Sequence, residues 1–293
     1  MHELTQNLRF ALRTLALSPG FTAVALATLA LGIGANTAIF SVVDAVLLRP
    51  LPYPEPSRLV GVFQTLPRQS VSRTGISYLN YADFAGRSRS FRPLGAIRMH
   101  DYTLTGHGEP ELVVGGTVTA NVFAVLQVRP LLGRVLTAED DPPGAPPVAV
   151  LGERLWRERF GSDPEIVGKP VYLDKQPATV VGVLPAAFKT PPGYPPAQLW
   201  LPLTHDPVFN DLRQKRGGHY LTVVGRLAPG VTIDGARAEL ATIAAALGRQ
   251  YPKENEGWSV TVLPLSESMV GGVRTALTVL LAAVVLVFLI ACA

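Results

Sequence analysis

Three side chains of this sequence have types and spacing that could hold a metal ion, namely His100, Asp101 and His107. Imidazole nitrogens and carboxylate oxygens bind divalent metals, and a hairpin could bring these residues together. Isolated residues of this kind are more often exposed in loops than bound to a metal. We interpret all three as exposed loop residues and predict no metal site.

The motifs of the common catalytic and nucleotide-binding sites are absent from the sequence. There is no G-x-S-x-G, H-E-x-x-H, C-x-x-C or G-x-x-x-x-G-K-[ST], so serine hydrolase, zinc protease, redox and P-loop chemistry lack their signatures. The glycines of Gly32-Ile33-Gly34 lie inside an apolar helix with no preceding strand, which favours helix packing over nucleotide binding. The run 153–159 alternates in charge as a solvated helix face does, with Trp156 packed inward. We predict no catalytic residue, no cofactor and no enzyme activity.

Composition points to a membrane rather than to nucleic acid. Of the 293 residues, 48% are hydrophobic and only 16% charged, which is more apolar than an ordinary soluble domain. The net charge is +4, but the basic residues are scattered and form no cluster, so we predict no nucleic-acid partner. The single cysteine, Cys292, excludes an intramolecular disulfide and a multi-cysteine zinc site.

The first apolar segment is predicted to be a transmembrane helix over residues 18–48. No charged residue occurs over 18–43, and roughly 23 residues at about 1.5 Å each exceed the ~30 Å hydrocarbon core. A cleaved signal peptide is the alternative, but its apolar region would be too long. Residues 1–17 precede this segment, and their apolar positions recur at helical spacing, which predicts an amphipathic helix on the membrane surface.

One side of this predicted helix carries only small residues. At 100° per residue they fall within a sector of about 80°, and bulky residues lie opposite. Such a stripe lets a second helix approach closely in lipid, so we predict a helix-packing face. The alternative is that alanine is merely common in this segment. The face consists of Ala23, Ala27, Ala30, Gly34, Ala38, Ser41 and Ala45.

A second transmembrane helix is predicted over residues 272–293. The stretch 275–293 carries no charge, and its last residues include no polar flank. We therefore expect this chain to be the front part of a longer membrane protein, with the second helix truncated. Two spans place both ends of the central region on the same side of the membrane, but Arg9 and Arg13 before the first span are matched by Arg49 and Arg58 after it, so the charges do not decide which side.

The central region is predicted to be an α+β domain of two βαβ units with an inserted, smaller, β-rich subdomain. The first unit has a strand at 58–64, a helix at 77–87 and apolar, strand-like segments through Ile97 and Val113. The second has a strand at 219–227, a helix at 236–247 capped by Thr232, and a strand at 258–265. Between the units, a hairpin is predicted over 167–183 with its turn at 174–177. The units occupy 49–125 and 206–268, and the inserted subdomain occupies 126–205.

Several stretches resemble one family of membrane proteins. They are similar to MacB/FtsX-type permeases with a MacB-like periplasmic core domain, particularly the duplicated orphan permeases of acidobacterial type. The resemblance covers essentially the whole chain. The stretches are SPGFTAVALATLALGIGANTAIFSVVDAVLLRPLPYPEPSRLV, TVTANVFAVLQVRPLLGRVLTAEDD, VAVLGERLWRERFG, VVGVLPAAF, LWLPL, VGRLAPGVTIDGARAEL and LLAAVVLVFLIACA.

The resemblance implies a bacterial inner-membrane protein with a cytoplasmic N-terminus and a periplasmic, porter-like central domain. It implies that the chain is a permease subunit of an ABC exporter or mechanotransmission system, coupling membrane-helix movement to the periplasmic domain. The implied partners are the membrane, further permease helices or a second permease copy, and a separate ATPase subunit, which orphan members lack in recognisable form.

The connector over residues 50–56 is the candidate joint of such a system. Pro50, Pro52 and Pro54 would stiffen it, because proline fixes φ, although an ordinary surface linker has the same composition. A two-pass membrane sensor with a periplasmic ligand-binding domain remains the alternative function. A membrane-anchored hydrolase is a third class, which should show a nucleophile or a metal cluster.

Overall fold

The computed structural model describes residues 10, 13, 16–43, 51–106, 108–188, 190, 196–270 and 274–292. The chain forms two compact units, a helical unit of Met1–Arg49 with Val270–Ala293, and a sheet domain of Pro50–Met269. The amphipathic helix predicted for residues 1–17 lies almost wholly outside the described residues, and Ala45 and Pro50 lie outside them too.

Helices connect several strands of the sheet domain, and one apolar helix precedes the domain in the chain and another follows it. The helices are α1 Pro19–Val43, α2 Tyr78–Arg87, α3 Asn121–Leu126, α4 Glu153–Phe160, α5 Phe209–Leu212, α6 Ile233–Gln250, α7 Pro252–Asn255, α8 Leu265–Val270 and α9 Arg274–Cys292. The strands are β1 Leu59–Leu66, β2 Val71–Thr74, β3 Phe91–Thr105, β4 Glu111–Val118, β5 Leu132–Gly133, β6 Val148–Gly152, β7 Pro170–Leu173, β8 Gln176–Leu184, β9 Leu199–Pro202, β10 Thr222–Leu227 and β11 Ser259–Pro264.

Helices α1 and α9 form the helical unit and contact each other. Within α1, Pro19–Ser41 spans 23 residues with a mean hydropathy of 1.8, and by length and composition it could cross a membrane. The corresponding apolar stretch of α9, Ala276–Val287, is shorter. The Nδ2 of Asn36 lies 3.5 Å from the backbone oxygen of Val284, on the side of α1 where Gly32 is buried. Because the apolar stretch of α9 is shorter than that of α1, the second membrane span stays a prediction.

The two predicted βαβ units interlock in one sheet. Strands β11, β1, β10 and β3 lie side by side in that order, each antiparallel to its neighbours. The parallel strands of the β1–α2–β3 unit therefore enclose β10, and those of the β10–α6–β11 unit enclose β1. This is the split βαβ arrangement of ferredoxin-like folds. Neither unit can form its sheet without the other, because each supplies the central strand that the other lacks.

Both connecting helices begin at a polar cap and pack on the same face of the sheet. The hydroxyl of Ser77 accepts a hydrogen bond from Asn80 N at the start of α2, and that of the predicted cap Thr232 accepts from Gly235 N at the start of α6. The core on this face joins both helices to the strands. Its largest fully buried members include Phe84 of α2 and Phe209 of α5.

The sheet continues through the segment predicted as an inserted subdomain. The second part of β3 pairs with β4, which pairs in parallel with β9, and the order then runs through β6 and β8 to β5. The predicted hairpin is β7–β8, and its turn residues Asp174 and Lys175 have φ of 49° and 66°. These angles fit a two-residue type I′ turn, so the predicted turn at 174–177 was too long, since Gln176 and Pro177 already belong to β8. The subdomain boundaries at 125 and 206 stay a prediction.

A carboxylate from α6 fixes the loop between α2 and β3. Glu239 accepts hydrogen bonds from Ser88 Oγ at 2.6 Å, Arg89 N at 2.8 Å and Ser90 N at 2.9 Å. Burial raises the pKa of Glu239, but the hydrogen bonds from Ser88, Ser90 and Arg89 outweigh it and hold the pKa below the ordinary 4.5. The ionised form is therefore favoured in the folded state.

We expect Glu239→Gln to lower the free energy of unfolding by about 1–3 kcal/mol at pH 7, because the amide cannot accept all three hydrogen bonds. A lowered folded-state pKa stabilises the fold above the unfolded pKa, and that contribution disappears as the pH falls through the folded pKa. The difference between wild type and variant should therefore shrink below about pH 4.5. Urea unfolding of the full chain at pH 7 and pH 4 measures it. Exposed Glu254→Gln is the control, and an equal loss in both variants at pH 7 would contradict the assignment.

Candidate functional site

The chain enters and leaves the sheet domain at the same end of two neighbouring strands. Strand β1 is the first strand after α1 and β11 is the last strand before α9, and six residue pairs join them in antiparallel register. Val60, near the start of β1, pairs with Pro264, at the end of β11. Movement of either connection therefore acts on the same end of one hydrogen-bonded ladder.

Residues 51–58 form the incoming connector, which is held against the domain core. Leu51 and Tyr53 are half-buried against the hydrophobic cluster beneath α3, whereas Pro52 and Pro54 are exposed. The Tyr53 ring meets Phe188 edge to face, with 6.4 Å between ring centroids. The alternation of apolar and proline residues thus lays this segment along the domain instead of leaving it as a free linker.

A buried arginine on β10 fastens the connector. Arg226 is only 2% exposed and pairs with Leu59, the first residue of β1. Its Nη2 donates to the backbone oxygen of Pro54 at 2.8 Å, and its Nε donates to that of Val125, in α3, at 2.8 Å. Burial lowers the pKa of Arg226, and the nearby Arg58 charge lowers it further. One guanidinium therefore ties the connector, the central strand and α3 together.

Glu55 supplies the counter-charge for this arginine. Its Oε2 lies 2.7 Å from Arg58 Nη1, and its Oε1 lies 3.9 Å from Arg226 Nη1. The hydrogen bond from Arg58 lowers the pKa of Glu55. Arg58 also donates from Nε and Nη2 to the backbone oxygen of Leu227, at 3.0 and 2.7 Å. We call Arg226, Arg58 and Glu55 the arginine latch.

The outgoing end is held by α8 and α6. Leu265 of α8 is buried in the same cluster that receives the connector, and Ser268 Oγ donates to Leu265 O at 2.7 Å. A Cβ on Gly61 of β1 would lie 3.1 Å from Ser268 Oγ, so the glycine allows α8 to pack closely over the strand. From α6, Arg237 Nη2 donates to the backbone oxygen of Val262 at 2.9 Å. Val262 belongs to β11, the terminal strand of the sheet, so α6 partly covers this edge.

The predicted site residues fall on different parts of the chain. The six described small residues of the packing face, Ala23, Ala27, Ala30, Gly34, Ala38 and Ser41, are all exposed. Helix α9 contacts the opposite side of α1, at Asn36. The face is thus open to a further helix, and its role stays a prediction, as does the joint at Pro52 and Pro54.

The candidate metal ligands do not lie in a loop. His100 and Asp101 are consecutive residues of β3 that pair with Gly115 and Val114 of β4, so their side chains point to opposite faces. The expectation of a loop was wrong for these two, because the long strand β3 continues through them; Asp101 is exposed as expected, whereas His100 is half-buried. His100 Nε2 lies 3.7 Å from Asp174 Oδ2 of the hairpin turn. His107 lies outside the described residues, and within the part that is described no three His, Cys, Asp or Glu residues are placed to hold a metal.

Sequence reasoning missed the arginine latch. Its one local signal was Arg226 itself, a charged residue in the otherwise apolar strand sequence TVVGRL. A charge at such a position needs partners when it is buried, but the backbone oxygens of Pro54 and Val125 are 172 and 101 residues away along the chain. Only the assembled fold brings them together.

Comparison with known proteins agrees with this fold. Residues 22–243 match the MacB-like periplasmic core domain, and the chain belongs to this family. The periplasmic region of MacB from Actinobacillus actinomycetemcomitans is 16% identical with a TM-score of 0.54, over 78% of this chain and 98% of that one. A domain of a protein described as a permease, from Porphyromonas gingivalis, is 15% identical with a TM-score of 0.57, over 72% and 92%. Among curated proteins, none matches the sequence significantly.

We expect Arg226→Met to release the connector without unfolding the domain. The change keeps the side-chain volume but leaves the Pro54 and Val125 oxygens without their donor, which costs about 2–4 kcal/mol locally. Hydrogen exchange of the full chain, followed by mass spectrometry, should show faster exchange in a peptide covering residues 51–58. Arg249→Met, at an exposed position of α6, is the control. Equal exchange in both variants would show that Arg226 does not hold the connector.

Proposed function

We propose that this chain is the permease component of a MacB/FtsX-type exporter or mechanotransmission system. In this proposal α1 and α9 are membrane helices, the N-terminus is cytoplasmic, and the sheet domain lies in the periplasm beside the inner membrane. Family membership supports the periplasmic placement, and the apolar, exposed surface of α1 supports the membrane placement, since side chains such as Leu31 and Phe21 are 75% and 70% exposed.

The observation that carries the proposal is the position of the two chain connections. Both reach the sheet at one end of the β1–β11 ladder, where Val60 pairs with Pro264. A relative movement of the two membrane helices would therefore act directly on neighbouring strands, and the arginine latch would pass it to β10 and α3. Pro52 and Pro54 limit bending within the incoming connector because their φ angles are fixed. The work of this component is thus mechanical.

The proposed partners follow from the exposed faces and from the family. The small-residue face of α1 would receive a further permease helix or a second permease copy, because small side chains allow close helix approach in lipid. ATP hydrolysis, where it drives the system, would come from a separate ATPase subunit. Membership in a core-domain family of this kind favours the permease over the two-pass sensor and the anchored hydrolase.

Topology reporters test this arrangement in living cells. We expect alkaline phosphatase to be active when fused after Arg154, in the sheet domain, and inactive when fused after Leu17, because only the first fusion would reach the periplasm. Green fluorescent protein at the same two sites should give the reverse result, and the chain should stay in the membrane pellet after carbonate extraction. An inactive phosphatase fusion at Arg154, or extraction by carbonate, would contradict the proposal.

A further inference from the structure

An open cleft lies beside α8, on the face of the sheet opposite α2 and α6. It has a volume of about 460 Å³, within the usual range of small-molecule sites. The cleft forms where β2 pairs with β1 while Ile76 bridges to Leu221, so that the segment leading into β10 diverges from β1. Gly61 and Phe63 of β1 and Leu265 and Ser268 of α8 line one side.

The charge in this cleft is positive and uncompensated. Arg73 of β2 lines it, is exposed, and has no carboxylate within ion-pair distance among the residues that the structure describes. None of the lining residues is Asp or Glu. The guanidinium carbon of Arg73 lies 6.0 Å from the centroid of the Phe63 ring, at the outer limit of a cation–π contact. A planar cation and an aromatic face are therefore presented side by side.

The rest of the wall is held in place by its own contacts. The ring of His219 stacks on Trp258, with 4.1 Å between centroids, and its Nδ1 lies 3.3 Å from the backbone oxygen of Gly75. A Cβ on Gly75 would lie 2.8 Å from the backbone oxygen of His219, so the two segments approach as closely as a glycine permits. The wall of the cleft is thus fixed by contacts within the domain, and Arg73 is the charged lining residue that has no carboxylate partner among the described residues.

We propose that this cleft binds an organic carboxylate that carries a flat apolar group. The guanidinium fork of Arg73 would pair with the carboxylate in two parallel hydrogen bonds, a geometry that arginine matches and lysine does not. The apolar group would lie against Phe63 and Leu265. Such a ligand would touch both β2 and α8, the helix that leads out of the domain. The site does not depend on the proposed transport role.

Binding of hippurate to the full chain in detergent micelles tests this site. Hippurate combines a carboxylate with an aromatic ring, and its methyl ester keeps the ring but lacks the charge. Saturation-transfer NMR and calorimetry, with protein-free micelles as the reference, should show binding of hippurate and at least tenfold weaker binding of the ester, about the effect of one charge-assisted hydrogen-bonded pair.

Variants assign the binding to Arg73. We expect Arg73→Gln to weaken hippurate binding about tenfold or more, and Arg68→Gln, an exposed arginine that does not line the cleft, to leave it unchanged. Arg73→Lys should bind at an intermediate level, and it carries the test if Arg73→Gln does not fold. Equal binding of the ester, equal loss in Arg68→Gln and Arg73→Gln, unchanged binding in Arg73→Lys and Arg73→Gln, or no binding of hippurate at all would each overturn the proposal.

Discussion

The ladder between β1 and β11 receives both covalent connections of the sheet domain at one end, and this fixes how the domain can respond to the helices. Hydrogen bonds of an antiparallel pair run perpendicular to the strands. A force that draws the two connections apart would therefore open these bonds one after another, starting at Val60 and Pro264. If the sheet domain is to move with the two helices while β1 and β11 stay paired, further contacts must hold the two connections at this end of the ladder.

The contacts around the two connections supply those attachments. Arg226 of β10 binds the incoming connector at the backbone oxygen of Pro54, which precedes the first residue of β1. On the other side of the ladder, Arg237 of α6 binds the backbone oxygen of Val262 in β11. Burying a guanidinium is costly unless its donors are paired. In Arg226, Nε and Nη2 donate to two backbone oxygens, whereas the buried Nη1 has no hydrogen-bond partner and only the charge of Glu55 at 3.9 Å. An apolar side chain of equal size could fill the space, but it could not hold two carbonyl oxygens from different segments in one position.

Residues close together in the sequence predicted most of the helices and strands, whereas pairings between distant segments determined the order of the strands in the sheet. The capping hydroxyl of Thr232, the helix around Trp156 and the hairpin at Asp174 follow from residues within a few positions, and all three are present. The order of strands, the pairing of β4 with β9 and the latch depend on partners that are distant in sequence. The strand position of His100 was missed for the same reason, since pairing with β4 extends β3 well beyond its apolar start.

In the proposed mechanism, force applied to the two connections is carried by the arginine latch. Pulling on both connections of one molecule of this chain tests this central claim most directly. DNA handles would be attached through Pro52→Cys and Ser266→Cys, both at exposed positions, with Cys292→Ser to remove the native thiol. If the arginine latch carries load, optical tweezers should record an early step at a markedly lower force in Arg226→Met than in the unaltered latch, with Arg249→Met unchanged. The same rupture force for the first step in all three chains would show that the arginine latch does not carry the force applied to the connections.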